Sequence, residues 1–321
     1  MSLKFVYALI SGNGDCYTEQ TLVSIYTLRR HNPEAHIALV TDNDTIESLT
    51  GNRAQIKEYA DEIIAVNIPT GLSPVQRSRY IKTSLRQNVD GDFLYIDNDT
   101  IVIAPLDDLE KSDCEMAAVL DLHSTDNNSR KLKEYMKITH NDSLTKVMDG
   151  GGDIRYFNGG VLFVRDTEAT HRLYADWHRI WNEERVKYGV NIDQPSFAQA
   201  NIANGCLIKE MDGRYNCQIS TPNAKRHLVS ARIIHYFHSS QNEQFYIYEV
   251  LKRIKMEGLT AELQKIIDNP DFFLSGWSML DDTERRVYEL PMSVLGRKLA
   301  RDYPWSNKIA KFVYRLFGFE I

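Results

Sequence analysis

Short apolar runs and longer stretches of helical spacing alternate along the first third of the chain. Residues 4–10 form a β-rich apolar run, and residues 17–31 follow with Leu22, Ile25, Tyr26 and Leu28 at roughly helical spacing. Strand character returns at 36–41, helical character at 46–59, and strand character again at 63–67. This order predicts parallel strands joined by crossover helices, a Rossmann-like nucleotide-binding half. Ser73-Pro74 supplies a cap and a first-turn proline for a helix reaching about residue 88, which Asp90-Gly91 breaks. The apolar strand 93–96 then delivers the chain into Asp97-Asn98-Asp99-Thr100, and Ile101-Val102-Ile103 continues until Pro105 stops it. Further strands are expected at 116–120, 160–164 and 232–236, and helices at 168–184 and 194–203. From about residue 242 the pattern is helical and lacks strand signals, which divides the chain into a nucleotide-binding domain, 1–241, and a helical appendage, 242–321.

A chain of 321 residues suffices for one large α/β domain with such an appendage. Its 43% hydrophobic and 26% charged residues are ordinary globular usage. The formal charge of -6 argues against a nucleic-acid partner, which would need a broadly basic surface, but a small anion can bind where a few cations converge. Cys16, Cys114, Cys206 and Cys217 are scattered, with no C-x-x-C pair, so a reduced cytosolic compartment is expected. The opening Met1-Ser2-Leu3-Lys4 lacks the signature of a signal peptide. No apolar run approaches the ~18–20 residues that span a bilayer. A cytoplasmic protein, soluble or peripheral, is the expectation.

Candidate chemistry concentrates at the end of strand 93–96. If the extended conformation persists, Asp97 and Asp99 share a side while Asn98 points away. Two adjacent carboxylates repel unless a cation lies between them, and ligands of open α/β sheets gather at the carboxyl ends of strands. A divalent metal bridging to a diphosphate accounts for the pair; the alternative is an Asp that merely closes a turn. His235 ends a second apolar strand, with His238 as the rival ligand. Two carboxylates and an imidazole, completed by phosphate oxygens, suit Mn²⁺ better than Mg²⁺ or Ca²⁺. Ser11-Gly12-Asn13-Gly14-Asp15 lacks the G-x-G-x-x-G arrangement, which ranks a dinucleotide-dependent oxidoreductase low.

Over about residues 4 to 240 the chain resembles glycosyltransferase family 8, which includes bacterial lipopolysaccharide galactosyl- and glucosyltransferases and glycogenin. The resemblance is carried by the opening strand and helix, the Arg-containing helix before Asp97, Phe157-Asn158-Gly159-Gly160-Val161, Asp193-Gln194-Pro195 and the strand ending in His235. It implies a GT-A fold, a Rossmann-like mixed sheet flanked by helices, that binds a UDP-sugar with Mn²⁺ held by Asp97, Asp99 and His235. Ala8, Leu9 and Tyr17 fall where the family holds uridine, with Asn98 beside the metal pair. Arg79 matches a donor-contacting arginine, and a guanidinium suits bidentate phosphate recognition; the alternative is that Arg77, Arg79 and Lys82 form a solvated basic helix face. Asn158 matches an asparagine that faces the sugar, and Gly159 and Gly160 would let backbone approach the donor closely; the alternative is a β-bulge before the strand at Val161. Asp193 and Gln194 match the pair near the reacting carbon, and Asp193 also reads as a helix N-cap.

The resemblance implies retaining transfer of a hexose, galactose or glucose, to a saccharide acceptor such as lipopolysaccharide or another cell-surface glycan. One departure stands out. Relatives commonly follow the histidine with a glycine and then a lysine that neutralises the diphosphate, whereas this chain has His238 at the glycine place and no such lysine. A nucleotide-sugar-binding protein with little or no transferase activity is therefore the alternative. The C-terminal stretch interleaves Arg297, Lys298, Arg301, Lys308, Lys311 and Arg315 with Tyr303, Trp305, Phe312, Tyr314, Phe317 and Phe319. That pattern fits peripheral contact with the inner, cytoplasmic face of a membrane, where lipid-linked acceptors would be met, or else a helical cap.

Overall fold

The apolar run after residue 3 becomes β1 (Lys4–Leu9), followed by α1 (Tyr17–His31), β2 (His36–Thr41), α2 (Asn43–Ser48), α3 (Ile56–Tyr59) and β3 (Glu62–Ala65). These elements come from a computed structural model that describes residues 3–124, 155–219, 221–236, 246–269, 290–303 and 305–316. The helical stretch expected at 46–59 is interrupted: Gly51 adopts a left-handed φ of +54°, and a 3₁₀ turn, Gly51–Gln55, separates α2 from α3. α2 begins at Asp42, whose side chain accepts the Thr45 N–H at 2.9 Å.

α4 (Pro74–Thr83) opens with a full capping box, in which the Ser73 hydroxyl accepts from the Gln76 N–H and the Gln76 side chain accepts from the Ser73 N–H. It stops short of residue 88 because the Ser84 hydroxyl donates back to the Tyr80 carbonyl at 2.8 Å, and the short α5 (Leu85–Asn88) restarts the turn. β4 (Phe93–Ile96) is wholly buried.

The large sheet is completed by β6 (Met116–Leu120), β7 (Phe157–Val164) and the two-residue β8 (Lys209–Glu210), in the order β3-β2-β1-β4-β7-β6-β8. β3, β2, β1 and β4 run parallel, as the strand-helix alternation predicts. β7 is antiparallel to both β4 and β6. A second, small sheet is built from β5 (Thr100–Val102), β9 (Cys217–Gln218) and β10 (Ile233–His235), in the order β5-β10-β9.

α6 (Glu168–Tyr188) and α7 (Gln194–Ala203) contribute Leu173, Tyr174, Trp177 and Phe197 to a core that also holds Phe93, Tyr95 and Leu162 from the sheet. Full burial of an aliphatic or aromatic side chain stabilises by roughly 1.5–3 kcal/mol, so this layer is what anchors β4 and β7 beneath the candidate site. The Trp177 indole keeps its polar end satisfied by donating to the Asp193 carbonyl at 2.9 Å.

The chain divides into two compact units, Met1–Leu274 and Ser275–Ile321. The first includes α8 (Lys225–Leu228), α9 (Tyr246–Glu257) and α10 (Ala261–Ile267). α9 and α10 are tied to the N-terminal half: the Tyr26 hydroxyl donates to Asp268 at 3.0 Å, and the Leu259 N–H donates to Gln55 at 2.8 Å. The second unit contains α11 (Pro291–Asp302) and α12 (Trp305–Leu316). Among the described residues, no helix is long and apolar enough to cross a membrane.

Candidate active site

β4 ends at Ile96, and the next three residues carry the chain from the large sheet into the small one. The Asp97 N–H donates to the Gly160 carbonyl at 2.7 Å, and the Thr100 hydroxyl donates to the Asp97 carbonyl at 2.8 Å. Asp97-Asn98-Asp99 is thus a bend between strands and not a continuation of β4. Its two carboxylates meet by turning, not by strand alternation. Asn98 does point elsewhere, donating to the Ala8 carbonyl at 3.1 Å and fastening the bend to the end of β1.

The small sheet brings the third residue. β10 pairs antiparallel with β5 and sets His235 opposite Thr100, one position from Asp99; the Tyr236 N–H donates to the Asp99 carbonyl at 3.1 Å. His235 Nε2 then lies 3.2 Å from Asp99 Oδ1, and one donor atom from each of Asp97, Asp99 and His235 falls within 4.8 Å of the others. The ring is buried while both carboxylates remain partly exposed. Two carboxylates and a nearly enclosed imidazole converging from two sheets form a donor set that fits a divalent cation with open positions for oxygen ligands. His238, the rival ligand, lies outside the described residues.

The far side of Asp97 is occupied by cations. Lys82 Nζ sits 3.0 and 3.2 Å from the two Asp97 oxygens, and the Tyr95 hydroxyl donates to the same carboxylate. Lys82 is buried and also lies 3.8 Å from Asp193 Oδ2, so it bridges the two acids. Arg79 Nε stands 3.0 Å from Asp193 Oδ1. Burial pushes the Asp193 carboxyl up, but Arg79 and Lys82 outweigh it and hold the group below the usual carboxylate range. Asp193 stands at the N-cap position of α7 without its side chain accepting a cap bond. That carboxylate is turned toward the cations, and only its carbonyl serves the helix, accepting from Phe197 N–H at 3.0 Å. Arg77 takes no part, being paired with Asp42 and with Asp44 at 3.0 Å. Lys82, read from sequence only as one residue of a basic face, proves to be the cation on Asp97. Its spacing of three from Arg79, which puts both on one helix side, was the available signal.

Beside this centre is a cavity of about 270 Å³ at the carboxyl ends of β1 and β4, lined by Ala8, Ile10, Tyr17, Pro74, Val75, Arg79, Asn98 and both acids of the pair among others. Ala8 and Ile10 face it. Leu9, between them, is fully buried on the opposite face of the strand, as a period of two requires, so its side chain does not line the cavity.

Behind His235 the contacts are amides. His235 Nδ1 lies 2.9 Å from Asn216 Oδ1, and Asn216 Nδ2 donates to Asn158 Oδ1 at 2.9 Å. Asn158 Oδ1 also accepts the Gly160 N–H at 2.9 Å, and its amide donates to Asp121 at 3.0 Å. Asn158 is therefore buried with its oxygen already used twice. Gly160 is obligatory, since a Cβ there would lie 2.5 Å from His235 Cε1; one at Gly159 would lie 3.6 Å from the end of Lys82. The register of β6 with β7 shifts here: Ala118 pairs with Leu162 and Leu120 with Phe157, so the surplus residues lie on β7 at Asn158-Gly159-Gly160-Val161, where the sequence offered a β-bulge as the alternative. Gln194, in the first turn of α7, reaches the Tyr156 hydroxyl.

A parallel Rossmann-like half extended by antiparallel strands, with an Asp-x-Asp bend where β4 leaves the sheet, is the GT-A glycosyltransferase architecture, and this chain has that fold. Solved structures of the same fold include the bifunctional glycosyltransferase WbbM, with a TM-score of 0.53 and 14% identity over 82% of this chain and 51% of that one. The galactosyltransferase LgtC in complex with donor and acceptor sugar analogues matches with a TM-score of 0.51 and 14% identity, over 82% of this chain and 99% of LgtC. The glycosyltransferase GlyE of Streptococcus pneumoniae TIGR4 matches with a TM-score of 0.50 and 19% identity, over 82% of this chain and 63% of GlyE. The chain thus spans about half of WbbM and under two thirds of GlyE. No protein-family model and no curated protein matches the sequence.

Proposed function

We propose that the chain is a Mn²⁺-dependent retaining glycosyltransferase of family 8 that moves a hexose, galactose or glucose, from a UDP donor to a saccharide acceptor such as lipopolysaccharide or another cell-surface glycan. The observation that carries this reading is the convergence of Asp97, Asp99 and His235, two of which, Asp97 and Asp99, also line the adjoining cavity. A Mn²⁺ ion held there would supply a Lewis acid for the charge that gathers on the departing diphosphate. Ala8, the Leu9 backbone, Tyr17 and Asn98 border the place for the nucleoside. Arg79, on the cavity wall, offers its guanidinium to phosphate while forming an ion pair with Asp193. Arg79 and Lys82 together stand in for the lysine that relatives carry after the histidine. Asp193 and Gln194 flank the sugar, Gly159 lets backbone approach it, and Asn158 has one amide N–H left for a sugar hydroxyl. No carboxylate nucleophile is assigned, so retention proceeds by attack on the face the diphosphate leaves.

The test is a panel of UDP-sugars assayed for UDP release with and without Mn²⁺. Mn²⁺-dependent hydrolysis of UDP-galactose or UDP-glucose is expected. Tight binding of UDP and Mn²⁺ by calorimetry, with no product from any donor or glycan acceptor, would instead mark a nucleotide-sugar-binding protein.

The site residues all lie within 1–241, which we assign as the catalytic domain. For the appendage we propose peripheral attachment to an anionic leaflet on the cytoplasmic side. In α12 Trp305, Ile309, Phe312, Val313 and Leu316 are 61%, 54%, 63%, 41% and 68% exposed, at spacings that gather them on one side, with Lys308 and Lys311 off that stripe. Co-sedimentation of the full chain with anionic liposomes, lost with zwitterionic ones, is expected; equal recovery in both pellets and in a lipid-free control rules attachment out.

A further inference from the structure

The amide chain behind His235 has only one self-consistent direction. A backbone N–H can only donate, so the Asn158 atom that meets the Gly160 N–H at 2.9 Å is the amide oxygen. The other end of that amide donates to the Asp121 carboxylate at 3.0 Å, an acceptor, which agrees. Since Asn158 Oδ1 is an acceptor, the Asn216 atom 2.9 Å from it must be the NH₂ group. The remaining end of Asn216, its oxygen, then faces His235 Nδ1 at 2.9 Å, and that nitrogen must carry a hydrogen. In the neutral ring the lone pair is left on Nε2, the atom 3.2 Å from Asp99 Oδ1.

We propose that Asn216 is a positioning residue that sets the tautomer of His235, so that Nε2 presents its lone pair to the cation shared with Asp97 and Asp99. This rests on the reading of those three residues as metal-holding. A metal-bound histidine commonly donates its other N–H to an oxygen, and here that oxygen belongs to the buried neutral amide of Asn216, oriented by Asn158, whose own direction is fixed from two sides by the Gly160 N–H and Asp121. Gly160 has two roles: its N–H starts the chain, and its missing side chain leaves room for the ring. Asn216 closes the 3₁₀ turn Gly213–Asn216 just before β9, the strand that pairs with β10, so the amide and the imidazole belong to one local framework.

The experiment needs no turnover. ¹⁵N spectra of histidine-labelled full-length protein without metal, at a pH where the ring is neutral, report which nitrogen is protonated; His235 is assigned by its absence from the His235→Gln spectrum. Mn²⁺ affinity is read separately by electron paramagnetic resonance. The wild type is expected to show Nδ1 protonated. Asn216→Ala is expected to lose that preference and to bind Mn²⁺ about 10–100-fold more weakly. Asn216→Asp keeps an acceptor against the ring and is expected to keep Nδ1 protonated, but it sets a second acceptor against Asn158 Oδ1, so its Mn²⁺ affinity is expected to fall between those of wild type and Asn216→Ala. A wild-type ring protonated at Nε2 overturns the assignment without recourse to any variant. So does a folded Asn216→Ala chain with wild-type affinity. A wild-type chain with Nδ1 protonated that binds no Mn²⁺ overturns the metal reading alone and leaves the tautomer standing.

Discussion

The two flanks of the candidate metal centre are built from different materials. On the Asp97 side charge answers charge, with Lys82 between Asp97 and Asp193 and Arg79 on Asp193. On the His235 side Asn216, Asn158 and the Gly160 N–H form a chain of neutral dipoles. Ion pairs set how much charge a site carries but tolerate displacement. Amides set direction, because each end can only donate or only accept. The charged flank therefore tunes the site's electrostatics, while the neutral flank dictates which atom of the histidine faces the centre.

The strongest way to break the centre is from the middle. Asp99→Asn is expected to lower Mn²⁺-dependent turnover by about 10³-fold or more, since charge stabilisation at the leaving group accounts for several kcal/mol, while thermal unfolding stays near wild type. Near-normal turnover in steady-state kinetics would remove the central assignment. Next in size is the charged flank. Lys82→Met leaves two carboxylates without their shared cation and is expected to cost about 2–4 kcal/mol, less than a fully buried pair because Asp97 is partly exposed. Added Mn²⁺ should recover part of that loss, which thermal melts with and without the ion will show.

The neutral flank should respond differently. Gly160→Ala forces a methyl against the His235 ring and is expected to cost about 1–3 kcal/mol by overpacking. Mn²⁺ affinity should fall in this variant but not in Lys82→Met, so calorimetric titration of the pair separates steering from charge balance. The smallest effect sharpens the contrast from outside. Burial pushes Glu184 up to about 7, with a Gln199 amide on one oxygen, whereas cations hold the buried Asp193 down. The folded state keeps the Glu184 proton between its ordinary value and about 7, so stability falls as pH rises through that window. Glu184→Gln should remove the fall, gaining about 1–2 kcal/mol at pH 8 and nothing at pH 4 by chemical denaturation.

Much of the charged half was legible along the chain. The alternation that builds β1 to β4 is local, each strand following its own helix, and the carboxylate pair sits where an apolar strand ends. The interruptions at Gly51 and Ser84 were less visible, because a single glycine or a serine bonding back to the preceding turn does not alter hydrophobic spacing. Lys82 was hidden among basic neighbours: Arg77, five residues earlier in α4, is also a cation but pairs with Asp42 and Asp44. Asn216 carried no signal, since a buried asparagine and a surface one read alike.

What the residues determined unaided is the order of elements, the apolar faces that assemble them and the presence of two acids at a strand end, all consequences of spacing within a few residues. Tertiary structure alone decided which histidine meets those acids, which lysine neutralises them and which way the amides point. Those outcomes depend on the register of β5 against β10 and on contacts between residues far apart in the chain, and hydrogen-bond direction exists only once donors and acceptors have met.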